Sequence, residues 1–175
     1  MVVPPTGLAF RFAVLALLYV AATAAHADPI LVGTWTSDGP STTKFNEEHV
    51  KLSSNTIEFE RQVFGHMTVT FSEKCAEFAM PDLDVTVGEK PFHLVGFREI
   101  QPYQVLGSTE RLVAVKIVIP VAHRQAIVTY HFDDSDRMWV LVDETVDRLS
   151  PQGQREYFVR TSGTNTSGAS CSVAR

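Results

Sequence analysis

Of the six histidines, the five beyond the N-terminal apolar segment, His49, His66, His93, His123 and His131, carry the imidazoles that could ligate a metal or move protons near neutral pH. None stands in a ligand-spaced pattern such as H-E-x-x-H or a Cys/His pair. His93 and His131 could meet across a sheet, in a register the sequence does not fix. The run Asp133-Asp134-Ser135-Asp136 offers carboxylates to calcium, but it lacks the glycine and terminal glutamate of a calcium loop. Aspartate and serine are also the residues a tight hairpin turn requires. Glu47-Glu48 and Glu58/Glu60 fall in a polar region and are most simply a solvated face. No G-x-S-x-G elbow is present, and Cys75 is better explained by a disulfide than as a nucleophile. No catalytic constellation, metal or cofactor is therefore expected.

Binding chemistry has more support than bond-making chemistry. Aromatic residues recur across the β-rich part of the chain, and tyrosine hydroxyls can act as polar handles in an apolar pocket. Phe97, Tyr103, Tyr130, Trp139 and Phe158 are the expected ligand-lining set. The alternative is a filled core in which these rings simply pack.

The segments that must position these side chains follow an export signal. Arg11 precedes the apolar run from Ala13 to Ala22, and Ala25-His26-Ala27 fits the small-x-small cleavage rule. Residues 1–27 are thus expected to be removed, leaving Asp28 as the N-terminus of a periplasmic or secreted domain. The apolar run is roughly half the length of a spanning helix, so no membrane anchor is expected. The formal charge of −5 becomes about −6 once Arg11 is lost, which argues against a nucleic-acid partner. In an oxidising compartment Cys75 and Cys171 are expected to form a disulfide, tying back the Ser/Gly/Thr-rich tail, residues 161–175. Asn165-Thr166-Ser167 is an N-glycosylation triplet, meaningful only in a host that glycosylates what it exports.

Residues 28–160 form one domain of ordinary size. Ile30 to Trp35 is a first strand, and two short helices are expected before Gly65. Asn55 and Glu58 have capping-box-like spacing, while Ile57/Phe59 alternating with Glu58/Glu60 leaves a strand open. Alternation then marks strands over His66–Phe71, Cys75–Met80, Pro91–Glu99, Pro102–Leu106, Arg111–Ile119, Ala126–Phe132, Arg137–Asp143 and Arg155–Arg160. Pro81-Asp82 reads as a break. Sequential strands with turns between them predict a mainly β fold, an antiparallel meander β-barrel or sandwich.

Gly33-Thr34-Trp35 at the head of the meander, with an arginine in the last strand, resembles the lipocalin/calycin group. Trp35-Thr36-Ser37-Asp38 and Phe64 to Phe71 are similar to segments of small exported bacterial lipocalin-like proteins of unknown function. The resemblance implies that Trp35 closes the barrel base, with Gly33 beside it and an arginine over its ring. Arg160 is the first choice for that arginine and Arg155 the second. It also implies a cysteine pairing of the Cys75–Cys171 kind. The function it implies is a monomeric carrier of a small apolar ligand. The competing expectation is a protein-binding module such as an exported protease inhibitor, using a loop or the N-terminal arm Asp28–Leu31.

Overall fold

The structure is a computed structural model that describes residues 30–143, 153–162 and Cys171. The expected signal peptide, the Asn165 triplet and the tail beyond Ser162, Cys171 apart, lie outside the described residues. The expected N-terminal arm is described from Ile30 onward. Strand β1 (Gly33–Ser37) is followed by helices α1 (Gly39–His49) and α2 (Ser54–Val63), then by β2 (Thr68–Phe71) and β3 (Cys75–Met80). A hairpin of β4 (Leu83–Val87) and β5 (Lys90–Leu94) precedes β6 (Phe97–Pro102) and β7 (Gln104–Thr109). These are followed by β8 (Leu112–Ile119), β9 (Arg124–Phe132), β10 (Arg137–Asp143) and β11 (Gln154–Ser162).

Nine strands form one antiparallel sheet in the order β6-β3-β2-β1-β11-β10-β9-β8-β7. β6 and β7 stand at opposite ends of that order, yet Tyr103 alone separates them in the chain. The sheet therefore curls into a nearly closed barrel with its seam at Tyr103. The Tyr103 hydroxyl donates to the Ser72 carbonyl at 2.7 Å, holding the seam to the β2–β3 turn. Closure between first and last strands comes from β1 pairing with β11, Trp35 opposite Arg160 and Ser37 opposite Phe158. Alternation sets the interior: Trp35, Val69, Phe71, Val113, Val115, Ile117, Phe132, Met138 and Phe158 form the core.

The helices form as expected, with one change in capping. Ser53, not Asn55, caps α2 by accepting from the Thr56 amide. The strand expected over Pro91–Glu99 is split at Val95-Gly96 into β5 and β6. Its first half pairs with β4, which the Pro81-Asp82 break concealed. A Cβ at Gly96 would lie 2.4 Å from the Met80 carbonyl oxygen, so only glycine lets the chain turn there.

Helix α1 substitutes for a strand. Beyond the end of β1, the exposed edge of β11 is met by three residues spaced four apart on or beside the helix. The Asp38 amide donates to the Tyr157 carbonyl, and Thr42 Oγ1 accepts from the Tyr157 amide. Asn46 takes both backbone groups of Arg155, donating from Nδ2 at 3.1 Å and accepting at Oδ1 at 3.0 Å. Thr42 and Asn46 are fully buried, and each satisfies β11 where β1 no longer reaches. Glu60 of α2 completes this cluster, accepting from Asn46 and from Gln154. Burial raises the Glu60 carboxyl above its ordinary value, the Glu47 charge adds to this, and the two hydrogen bonds oppose it.

Candidate functional site

The barrel interior divides into a filled half and a hollow half. At the base, the Trp35 indole donates to the Leu31 carbonyl at 2.9 Å and lies edge-on to Phe132. The Arg160 guanidinium covers its ring at 4.2 Å, a cation–π contact. That guanidinium also donates to the Ile30, Val32 and Ser135 carbonyls, tying the incoming chain and the β9–β10 turn to the barrel floor. Gly33 makes this possible: its φ is +137°, and a Cβ there would lie 2.6 Å from Arg160 Nη1. Arg155, the second candidate for this place, lies elsewhere.

Above that plug a cavity of about 310 Å³ opens between the upper barrel wall and the end of α2. Its size is at the low end of the roughly 300–1,000 Å³ typical of small-molecule pockets. The wall is apolar, from Val69 and Phe78 at depth to Ile119 and Val140 higher up, with Val63 and Phe64 over it. Val121, Leu141 and Val142 line it as well and are exposed, forming an apolar mouth. Among the lining residues the only ionisable side chains are Glu156 and Tyr130.

Glu156 is the unusual member of this wall. It is 6% exposed and projects from β11 on the same face as Phe158 and Arg160. Ser37 donates to its Oε1 at 2.6 Å, and the Ser37 oxygen accepts from the Gly65 amide at 2.9 Å. That relay commits the hydroxyl proton of Ser37 to Glu156. Among the described residues no second donor reaches this carboxyl. Burial, only partly opposed by the Ser37 bond, pushes it up to about 7. The buried Tyr130 phenol is pushed up too, by burial first and then by the Glu156 and Tyr103 charges.

Of the five residues expected to line a cavity, Phe97, Tyr130 and Phe158 line this one. Tyr103 packs edge-on against Phe71 at the seam. Trp139 lies on the outer surface, because its neighbours Met138 and Val140 occupy the inward positions of β10. There it joins a column of stacked groups. The His131 ring lies flat on Trp139 at 3.8 Å, the Arg155 guanidinium covers the other side at 3.8 Å, and Phe45 and His49 continue the stack. Burial and the Arg155 charge lower the His131 imidazole below its ordinary value.

The remaining candidates are dispersed. His93 bonds Asp84 at 2.8 Å on the β4–β5 hairpin and does not meet His131. Asp133 to Asp136 form the β9–β10 turn, where Asp134 accepts from the Asp136 amide. Among the described residues no group of three His, Cys, Asp or Glu is placed to hold a metal ion, and no helix is long and apolar enough to cross a membrane. Cys75 and Cys171 are bonded, with Cα atoms 5.8 Å apart. Sequence reasoning missed Glu156, although a signal existed. Once Arg160 is assigned to the barrel floor, strand parity sends Phe158 and Glu156 inward with it. Comparisons with known families, with curated proteins and with solved structures find no match to this chain.

Proposed function

We propose that this protein is an exported, lipocalin-like barrel that binds a small, mostly apolar molecule in the cavity above Trp35. The observation that carries this reading is a hollow of about 310 Å³ in the barrel, walled by aliphatic and aromatic side chains and open at an apolar mouth. Apolar surface of this kind gains roughly 25 cal/mol per Å² when a ligand displaces water from it. The Trp35–Arg160 plug supports the lipocalin-like assignment, since it closes one barrel end and leaves the other as the route of entry. The N-terminal arm that a protein-binding module would use has Leu31 fully buried and the Ile30 carbonyl held by Arg160.

Native mass spectrometry of the protein from an exported fraction, before and after denaturation, tests the reading. A discrete mass lost on denaturation, or uptake of the neutral apolar dye Nile red that Val140→Trp abolishes, supports it. A bare mass with no dye uptake refutes it.

A further inference from the structure

We propose that the molecule bound in this cavity is an apolar amine, its ammonium group held by the Glu156 carboxylate with the Tyr130 hydroxyl as a further acceptor. This rests on the cavity being the binding site and adds the chemical class of the occupant. An acceptor-only carboxylate in an apolar wall selects for a donor. Glu156 has one partner, Ser37, which approaches Oε1 and leaves the carboxyl otherwise without a donor among the described residues. Among the described residues no lysine, arginine or histidine lines the cavity. Where Glu156 is ionised, a fatty acid would thus bring a second carboxylate against it with no cation among the described lining residues to share, a like-charge contact in a low-dielectric site. An ammonium would instead form a charge-assisted hydrogen bond and neutralise the buried charge. The remainder of the wall asks for an alkyl or aryl body.

The proton balance follows from the same group. In the free protein the Glu156 carboxyl titrates near 7, so at acid pH a proton occupies it. Among the described residues, the groups that line the cavity from α2, β2, β3, β6, β8 and β10 are all uncharged, and Tyr130 on β9 is the only other titratable one. Binding an ammonium ion below that pH therefore releases the carboxyl proton to solvent, and affinity falls as acidity rises.

Isothermal titration of the purified protein with octylamine, octanol and octanoate compares three heads on one apolar body. At pH 8 octylamine is expected to bind roughly 10–100-fold more tightly than octanol, with octanoate weakest. From pH 8 to pH 5 octylamine affinity should fall roughly 100-fold while octanol affinity stays level, a test that needs no variant. Glu156→Gln should remove the preference of octylamine over octanol. Equal binding of amine and alcohol, or an amine preference that survives Glu156→Gln, overturns the proposal. Uptake of Nile red without octylamine overturns the amine but leaves the cavity as a binding site; uptake of neither overturns both.

Discussion

Replacing Glu156 by glutamine should remove a pH dependence from the stability of the barrel, and the structure gives both its sign and its size. The carboxyl is raised from an ordinary 4.5 to about 7 because burial disfavours its charge more than Ser37 relieves it. The native state therefore holds this proton more tightly than the unfolded chain does. The group's stabilising contribution is complete below about 4.5, declines as pH rises, and is lost above about 7. At about 1.4 kcal/mol per pKa unit, the difference between pH 4 and pH 8 is on the order of 3 kcal/mol. Glutamine keeps the size and the acceptor oxygen for Ser37 but does not titrate. Its amide adds a buried donor worth a constant cost of about 1–3 kcal/mol, so an offset between the proteins carries no information and the slope carries all of it. Urea unfolding of both proteins at pH 4.5, 6 and 8 gives that slope. Other raised carboxyls, Glu60 among them, contribute equally to both and cancel. The expected result is a stability difference that shifts in favour of the glutamine variant by on the order of 3 kcal/mol from acid to alkaline pH. Parallel curves would show that Glu156 is solvated in the native state, and the account of the cavity wall would be wrong.

Three other perturbations test the supports of the site. Trp35→Ala removes a fully buried indole and the surface on which Arg160 rests, so urea unfolding should show a loss of about 3–5 kcal/mol. A loss below about 1 kcal/mol would mean that the base is not plugged by this residue. Asn46→Ala leaves the Arg155 amide and carbonyl without partners on the α1 side and takes a donor from Glu60; a loss of about 2–4 kcal/mol and faster hydrogen exchange at the Arg155 amide are expected. Unchanged exchange there would show that α1 does not act as the missing strand. Reduction of Cys75–Cys171, which closes a separation of 96 residues, should lower the melting temperature by the equivalent of up to about 4–5 kcal/mol. The far-ultraviolet circular dichroism should stay that of a β protein, and its collapse at room temperature would show that the bond holds the barrel itself together.

What could be read from the chain and what could not divides along a physical line. Alternation over β2, β8 and β9 reports which face of each strand is buried, because the side-chain period is fixed by the backbone. Gly33, Trp35 and Arg160 were legible only through the resemblance to the lipocalin/calycin group; the structure supplies the physical reason, since the guanidinium covers the indole and approaches Gly33 too closely for a Cβ. The β4–β5 hairpin escaped notice because Val85 is its one buried residue, and its attachment runs through polar bonds from Gln62 and Glu58 to backbone groups of Thr86 and Gly88. Polar attachments of that kind leave no periodic trace. Trp139 was placed by residue type, as an aromatic that ought to be inside, against the parity of its own strand. Parity wins, because Met138 fills the base and the outward indole finds His131 and Arg155 to cover its two faces.

The hollow itself is the part that no local pattern encodes. A cavity is a deficit of volume, set by how nine strands and one helix end fail to meet, and it depends on every lining side chain at once. Its edge does leave a mark. In the lower barrel the inward positions carry bulky groups on facing strands, Trp35 on β1, Phe71 on β2, Phe132 on β9 and Met138 on β10, and they interdigitate. One turn of the pleat higher, the same strands offer Ser37, Val69, Tyr130 and Val140, and β11 offers Glu156 in place of a hydrocarbon. A packed core has no use for a carboxyl at that level, since burying one against hydrocarbon destabilises the fold in the pH range where it ionises. Retaining it there is costly unless something enters to meet it. The position of Glu156, at the boundary between the filled and the empty half of the barrel, thus connects the geometry of the hollow to the chemistry of whatever occupies it.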